Sequence, residues 1–203
     1  MSYIEVKFKV IGKQIPADHG YLLYSALSRF DKKIHEMKDI AIGGISGIPD
    51  SMRNLHLNNA SKLRIRLDHS DLPAIIGLAG KDLLIGSEKI RLGLPVVGML
   101  KPHRHLYSRL VTIKGFQESD AFLASLQKQF DALQIKQPPM LFHYKSGDTN
   151  KNIRKTVRIK DKEIVGFPVL ITNLNPDESL RLQQVGLGGR RKMGCGTFVG
   201  VRA

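Results

Sequence analysis

The chain has 203 residues, 42% of them hydrophobic, and carries 32 Lys and Arg against 18 Asp and Glu, a formal net charge of +14; that is enough apolar material for one large core or two small ones. A single cysteine, Cys195, excludes an intramolecular disulfide and a multi-cysteine zinc site and suits a reducing cytoplasm, and no apolar run reaches the length of a transmembrane helix. A pI near 10.0, with residues 101–203 carrying net +10 against +4 for residues 1–100, points to a polyanionic partner and makes the second half the main electrostatic footprint.

Tyr3, Val6 and Phe8 alternate with charges, which predicts a strand over 3–10 and argues against a signal peptide or membrane anchor. Leu23, Ala26, Leu27, Phe30 and Ile34 share one face of a helix predicted from Asp18 to about Ile34. Strands follow at 39–46 and 62–67, then a capped helix from Ser70 to about Ala79 and strand material over 83–97. The second half restarts with a strand from Ser108 to Ile113 and a helix capped by Ser119, with Phe122, Leu126, Phe130 and Leu133 on one face. Strands near 140–145, 155–160 and 164–171 precede another helix. Its start is written in the sequence: Asn175 caps, Pro176 suits the first helical position, and Asp177 and Glu178 complement the positive end of the dipole. That helix runs to about Val185, Gly186 ends it, and a last strand spans 196–202.

The same βαββαβ plan is read twice, the second time with an extra hairpin. The predicted fold is therefore α+β, two ferredoxin-like (RRM-like) domains in tandem with a glycine-rich loop near the C-terminus, residues 1–100 and 101–203. Lys101-Pro102-His103-Arg104-His105 reads as a polar connector; its two histidines lack a third ligand, so an exposed basic linker is expected rather than a metal site.

The most informative segment is Gly186-Leu187-Gly188-Gly189-Arg190-Arg191-Lys192-Met193-Gly194-Cys195-Gly196. Glycine frees the backbone for φ > 0 and for direct approach to a ligand, and three cations occupy the centre of the loop, a combination that suits the backbone of a polyanion. The Gly-Lys-Ser/Thr ending of a Walker loop is missing, and no Rossmann fingerprint opens a helix here. The loop follows a helix and precedes a strand.

This tail fits the pattern glycine, hydrophobic, glycine, five residues including a cation, glycine, any, glycine. It resembles the glycine-rich loop of the CRISPR repeat-processing endoribonucleases, the Cas-six family of the RAMP superfamily. Pro16 to Leu27 resembles the start of that family's first helix, and Ile34-His35-Glu36-Met37-Lys38 the segment that carries its catalytic histidine. Ser61 to Arg66, Leu78-Ala79-Gly80-Lys81 and Leu110-Val111-Thr112-Ile113 are similar to the compact myxan-type branch. The resemblance implies a metal-independent endoribonuclease, without a cofactor, that cuts CRISPR repeat RNA in the cytoplasm. Its nucleophile is the ribose 2′-hydroxyl, and its products carry a cyclic phosphate and a 5′-hydroxyl.

Histidine suits the proton transfers of such a cut because its ordinary pKa lies near neutrality. Of seven histidines, His35 falls where the family motif places the catalytic residue, and a position just past a helix C-terminus would favour imidazolium there. His19 matches the family text too, but at the start of the first helix, where the dipole disfavours its protonation; packing or substrate orientation is its expected role, with catalysis as the second option. Lys38 is placed to stabilise charge on a pentacoordinate phosphate. Some family members carry a tyrosine on the first helix where this chain has Ser28, so the partner of His35 is left open, with Tyr24 one turn earlier as a contender.

RNA binding is expected from Gly186, Gly188, Gly189, Arg190, Arg191, Lys192, Gly194 and Gly196 in the loop and from a basic hairpin with Lys145, Lys151, Arg154, Lys155, Arg158, Lys160 and Lys162, opposed only by Asp148, Asp161 and Glu163. Strand alternation would put Arg158, Lys160 and Lys162 in one stripe that reads phosphates rather than bases, as suits a repeat stem-loop. With no Trp and 6% aromatic residues, base stacking of the RNA-recognition-motif kind is not expected. Two alternatives keep the basic character: a non-cutting RNA-holding subunit among other CRISPR effector subunits, and an unrelated basic RNA-binding or ribosome-associated protein.

Overall fold

Ile4, Val6, Phe8 and Val10 of strand β1 (Tyr3–Ile11) are buried while Lys9 between them is exposed, the alternation of a strand with one face on a core. The computed structural model describes residues 3–146 and 149–201, so Asp148 and Arg202 lie outside the described residues. The chain divides into two units, Met1–Met99 with Lys192–Gly194, and Leu100–Arg191 with Cys195–Ala203.

In the first unit the elements after β1 are β2 (Gln14–Pro16), α1 (Gly20–Phe30), α2 (Lys32–Glu36), β3 (Ala41–Ile42), β4 (Ile48–Pro49), β5 (Asn54–His56), β6 (Lys62–Asp68), α3 (Leu72–Ile76), β7 (Asp82–Ile85) and β8 (Glu88–Met99). The main sheet runs β3-β6-β1-β8-β7, with β1 antiparallel to both neighbours. This is the βαββαβ order of a ferredoxin-like unit, with β7 added as an edge strand and β2-β5-β4 as a small separate sheet that the sequence did not announce. The core joins the inward residues of β1 and β6 to Leu23 and Leu27 of α1 and Ile75 of α3. On the other face, Glu5 lies opposite Arg66 and receives its Nε at 2.8 Å. Burial alone would raise the Glu5 carboxyl, but Arg66 and Lys7 outweigh it and hold it below the usual carboxylate range.

Four expectations for this half change. The long helix to Ile34 breaks at Asp31, whose extended backbone (φ −141°) ends α1 and whose side chain accepts from the Lys33 amide at 2.9 Å, starting α2. Phe30, expected on the apolar face, is 41% exposed. The helix from Ser70 to Ala79 is a 3-10 turn, His69–Asp71, followed by the short α3, and the strand over 39–46 shortens to Ala41–Ile42.

The second unit holds β9 (Leu106–Val111), α4 (Ser119–Ala132), β10 (Met140–Leu141), β11 (His143–Ser146), β12 (Thr149–Asn152), β13 (Lys155–Ile159), β14 (Lys162–Ile171), α5 (Pro176–Val185) and β15 (Val199–Gly200). Its sheet runs β10-β14-β9-β15, again ferredoxin-like, with β13 on β14 and the ribbon β11-β12 as the added hairpins. Phe122, Phe130, Phe167 and Phe198 are fully buried, and each such ring contributes about 1.5–3 kcal/mol by leaving water. Ser119 is the first residue of α4 rather than its cap, because Glu118 holds the cap position without a side-chain bond. The start of α5 is as read: Asn175 accepts from the Glu178 amide and Glu178 accepts from the Asn175 amide, both at 2.9 Å. Among the described residues no helix is long and apolar enough to cross a membrane.

Candidate active site and glycine-rich loop

Tyr24 on α1 and His35 on α2 are eleven residues apart, and an unbroken helix would hold them about 16 Å apart along its axis at about 1.5 Å per residue. The break at Asp31 removes that separation. The Tyr24 hydroxyl lies 2.5 Å from His35 Nδ1, with the two rings stacked at a centroid distance of 6.1 Å. His35 is exposed, and its Nε2 makes no hydrogen bond among the described residues, so the ring is oriented through one nitrogen and open at the other. His35 therefore lies within the last turn of α2 rather than beyond a helix end.

A cation from the glycine-rich segment completes this cluster. Lys192 Nζ donates to the His35 backbone carbonyl at 2.6 Å, taking up one of the carbonyls a helix end leaves unpaired. Partial burial pushes the Lys192 amine below the ordinary lysine range. The neighbouring backbone fits closely: a Cβ on Gly20 would collide with the Met193 carbonyl oxygen, and one on Gly194 would face the Gly44 amide at 3.5 Å. Glycine at position 20 thus lets residues 192–194 lie against the start of α1.

The other residues expected in the catalytic group have different places. Lys38 is exposed and makes no hydrogen bond or ion pair among the described residues, so the lysine beside His35 is Lys192 instead. The Ser28 hydroxyl oxygen is buried without a hydrogen-bond partner among the described residues, and the side chain that meets His35 is Tyr24. His19 is 5% exposed; its Nδ1 faces the Pro16 carbonyl at 3.0 Å and its Nε2 accepts from the Ile45 amide at 2.9 Å. Those contacts select the neutral Nδ1–H tautomer and leave neither nitrogen free to exchange a proton with a substrate. His19 ties the chain before α1 to the segment around Ile45.

The glycines at the root of the loop serve the chain's own backbone. Gly186 (φ 69°) ends α5, and a Cβ there would collide with the Gly196 carbonyl oxygen; a Cβ on Gly196 (φ 63°) would collide with that of Leu187. The amides of Gly186, Leu187, Gly189, Cys195 and Gly196 donate to carbonyls of Leu182, Gly196, Thr112, Arg190 and Leu110, and the Gly188 amide donates to Gln129 Oε1 at 2.8 Å. The expected cradle of glycine amides for a phosphate is therefore not open, since these donors are already paired within the chain. Arg190 reaches Thr112 Oγ1 at 3.3 Å, and Arg191 donates to the Gln184 carbonyl at 2.5 Å.

On the hairpins the basic residues separate. Lys160 occupies the turn between β13 and β14 (φ 53°), so Arg158, Lys160 and Lys162 do not form one strand stripe. Arg158 pairs in register with Glu163, and Lys155 lies half-buried opposite Gly166, its amine lowered first by burial and then by Arg109. Arg154 bonds Glu118 at 2.8 Å with its guanidinium 5.9 Å from the Phe167 ring centroid, while Lys151 is exposed opposite Tyr144.

Residues 4–203 match the family model described as Cas6 Crispr. A curated relative, the CRISPR-associated endonuclease Cas6 of Myxococcus xanthus (strain DK1622), is 34% identical over 199 residues, covering 98% of this chain and 82% of its own length. Among solved structures, a CRISPR-associated protein Cas6 superposes with a TM-score of 0.63 at 14% identity over 99% of both chains. The product of a Cas6-related gene from Pyrococcus furiosus gives 0.64 at 13% identity, over 97% of this chain and 98% of that one. A RAMP protein described as binding different RNA substrates gives the same score and identity over 98% of each chain.

Proposed function

The chain belongs to the Cas6 family, and from that premise we propose that it is an endoribonuclease that cuts CRISPR repeat RNA by a 2′-hydroxyl route needing no metal ion. The ribose 2′-oxygen attacks the adjacent phosphorus, the bond to the 5′-oxygen breaks, and the products end in a cyclic phosphate and a 5′-hydroxyl. One proton leaves the nucleophile and one reaches the leaving oxygen. The Tyr24–His35–Lys192 cluster is the observation that carries this reading.

His35 is the acid–base group. As imidazolium, His35 donates from Nδ1 to the Tyr24 oxygen and gives its Nε2 proton to the 5′-oxygen; as the neutral Nδ1–H tautomer, it leaves Nε2 as a base for the 2′-hydroxyl. Tyr24 fixes the ring in either case. Lys192 supplies positive charge beside the imidazole for the extra negative charge of the pentacoordinate phosphorus, where a preorganised cation is most effective. Exposed Lys151 and Arg158 meet phosphates of the repeat, which fits recognition of a stem by shape and backbone.

Purified protein incubated with repeat RNA in EDTA is the test. A single cut is expected, abolished by a 2′-deoxy substitution at the scissile nucleotide. It is also expected to slow by about 10²–10⁴ in His35→Ala, with RNA binding retained. Intact RNA after incubation with the unmodified protein would overturn the assignment.

A further inference from the structure

Among the aromatic rings outside the core, one lines a cleft. Tyr144 on β11 is 51% exposed. It stands directly opposite Lys151 of β12, so the two side chains share one face of the ribbon. That face borders a cleft of about 600 Å³ closed by Ser119 at the start of α4 and by Arg154, which is pinned to Glu118 at 2.8 Å. The Tyr144 hydroxyl and the Lys151 amine have no hydrogen-bond partner among the described residues. An open ring, a cation across from it and a hydroxyl at the rim, in a space the size of small-ligand sites, match one nucleotide: a flat base, a phosphate and a ribose.

We propose that this cleft holds one unpaired nucleotide of the substrate RNA, its base stacked on Tyr144 and its phosphate met by Lys151. The proposal rests on the endoribonuclease reading for the identity of the RNA. It adds that recognition is not by phosphates and stem shape alone. Unpaired bases offer a face that a paired stem keeps covered, and a single exposed aromatic beside a cation is enough to hold one.

The chain contains no tryptophan, so Tyr144→Trp introduces a unique fluorophore that still stacks. In a His35→Ala background cutting plays no part in the signal, and the outcome is separate from whether the protein cleaves. Titration with a repeat hairpin carrying unpaired flanks is expected to quench the tryptophan, and the same hairpin trimmed to a blunt stem is expected to leave it bright. In a companion binding assay, Tyr144→Ala is expected to shrink the preference for flanked over blunt RNA on the order of tenfold, and Tyr144→Phe to preserve it. No quenching at saturation, equal quenching by both RNAs, or an unchanged preference in Tyr144→Ala would each overturn the proposal.

Discussion

The glycine-rich segment differs sharply between its root and its crest. At the root, Gly186, Gly188 and Gly196 press against carbonyl oxygens of the same chain and spend their amides on internal bonds. At the crest, Lys192 turns its ammonium to the carbonyl of His35, and Met193 and Gly194 lie against Gly20 and Gly44. Within one motif, then, glycine packs the chain against itself and one cation contacts the candidate catalytic histidine. The two parts can be tested separately by mutation.

Gly196→Ala tests the root most severely. The new methyl would strike the Leu187 carbonyl oxygen in a left-handed backbone, and such strain with overpacking costs on the order of 3 kcal/mol or more. Thermal denaturation should show a drop of roughly 10 °C for a chain of this size. An unchanged midpoint would mean that the close approach of 187 and 196 is not what holds the loop.

Lys192→Met tests the crest. Loss of one preorganised charge beside the reacting phosphate is expected to lower the single-turnover rate about 10²-fold, with the melting temperature preserved; Lys38→Met is expected to change it far less. A pH profile sharpens the point. Burial lowers the Lys192 amine, so its charge is lost at a lower pH than that of a free lysine, and the alkaline limb of activity should fall there. Lys192→Arg keeps its charge at every accessible pH, and the limb should move upward.

Much of this arrangement was legible in the residues, and the parts that were not have physical causes. Asn175-Pro176-Asp177-Glu178 encodes the start of α5 in local chemistry, and the structure forms it as written. His35 stands out by motif, but the sequence leaves its partner open, with Tyr24 a contender, because Asp31 reads equally well as a polar residue on a continuing helix or as a cap; as a cap, it folds α2 back and brings Tyr24 within reach. The contact of Lys192 with His35 spans 157 positions and leaves no periodic trace. His19 was ambiguous for a different reason: one imidazole type serves catalysis or structure, and only the burial and the two bonds of its ring decide.

Asn175→Ala is expected to have a smaller effect than either loop variant. It removes one half of the capping box and should cost about 1 kcal/mol, seen as a modest shift in the denaturation midpoint. Since Gly186 closes the same helix, a loss near that of Gly196→Ala would show that the whole helix, and not only its first turn, depends on the cap.

The smallest change is expected at Gly189, which sits among strained glycines without sharing their constraint. Nothing lies within 4 Å of a Cβ built there, and its φ is not in the left-handed region. Its amide bond to the Thr112 carbonyl at 2.9 Å would survive in Gly189→Ala, so stability should stay within about 0.5 kcal/mol of the parent. Steric need therefore does not explain this glycine. If Gly189→Ala keeps its melting temperature but binds repeat RNA more weakly, the missing side chain makes room for the ligand, as the sequence pattern suggests; if both are unchanged, the motif's demand for glycine belongs to the root alone.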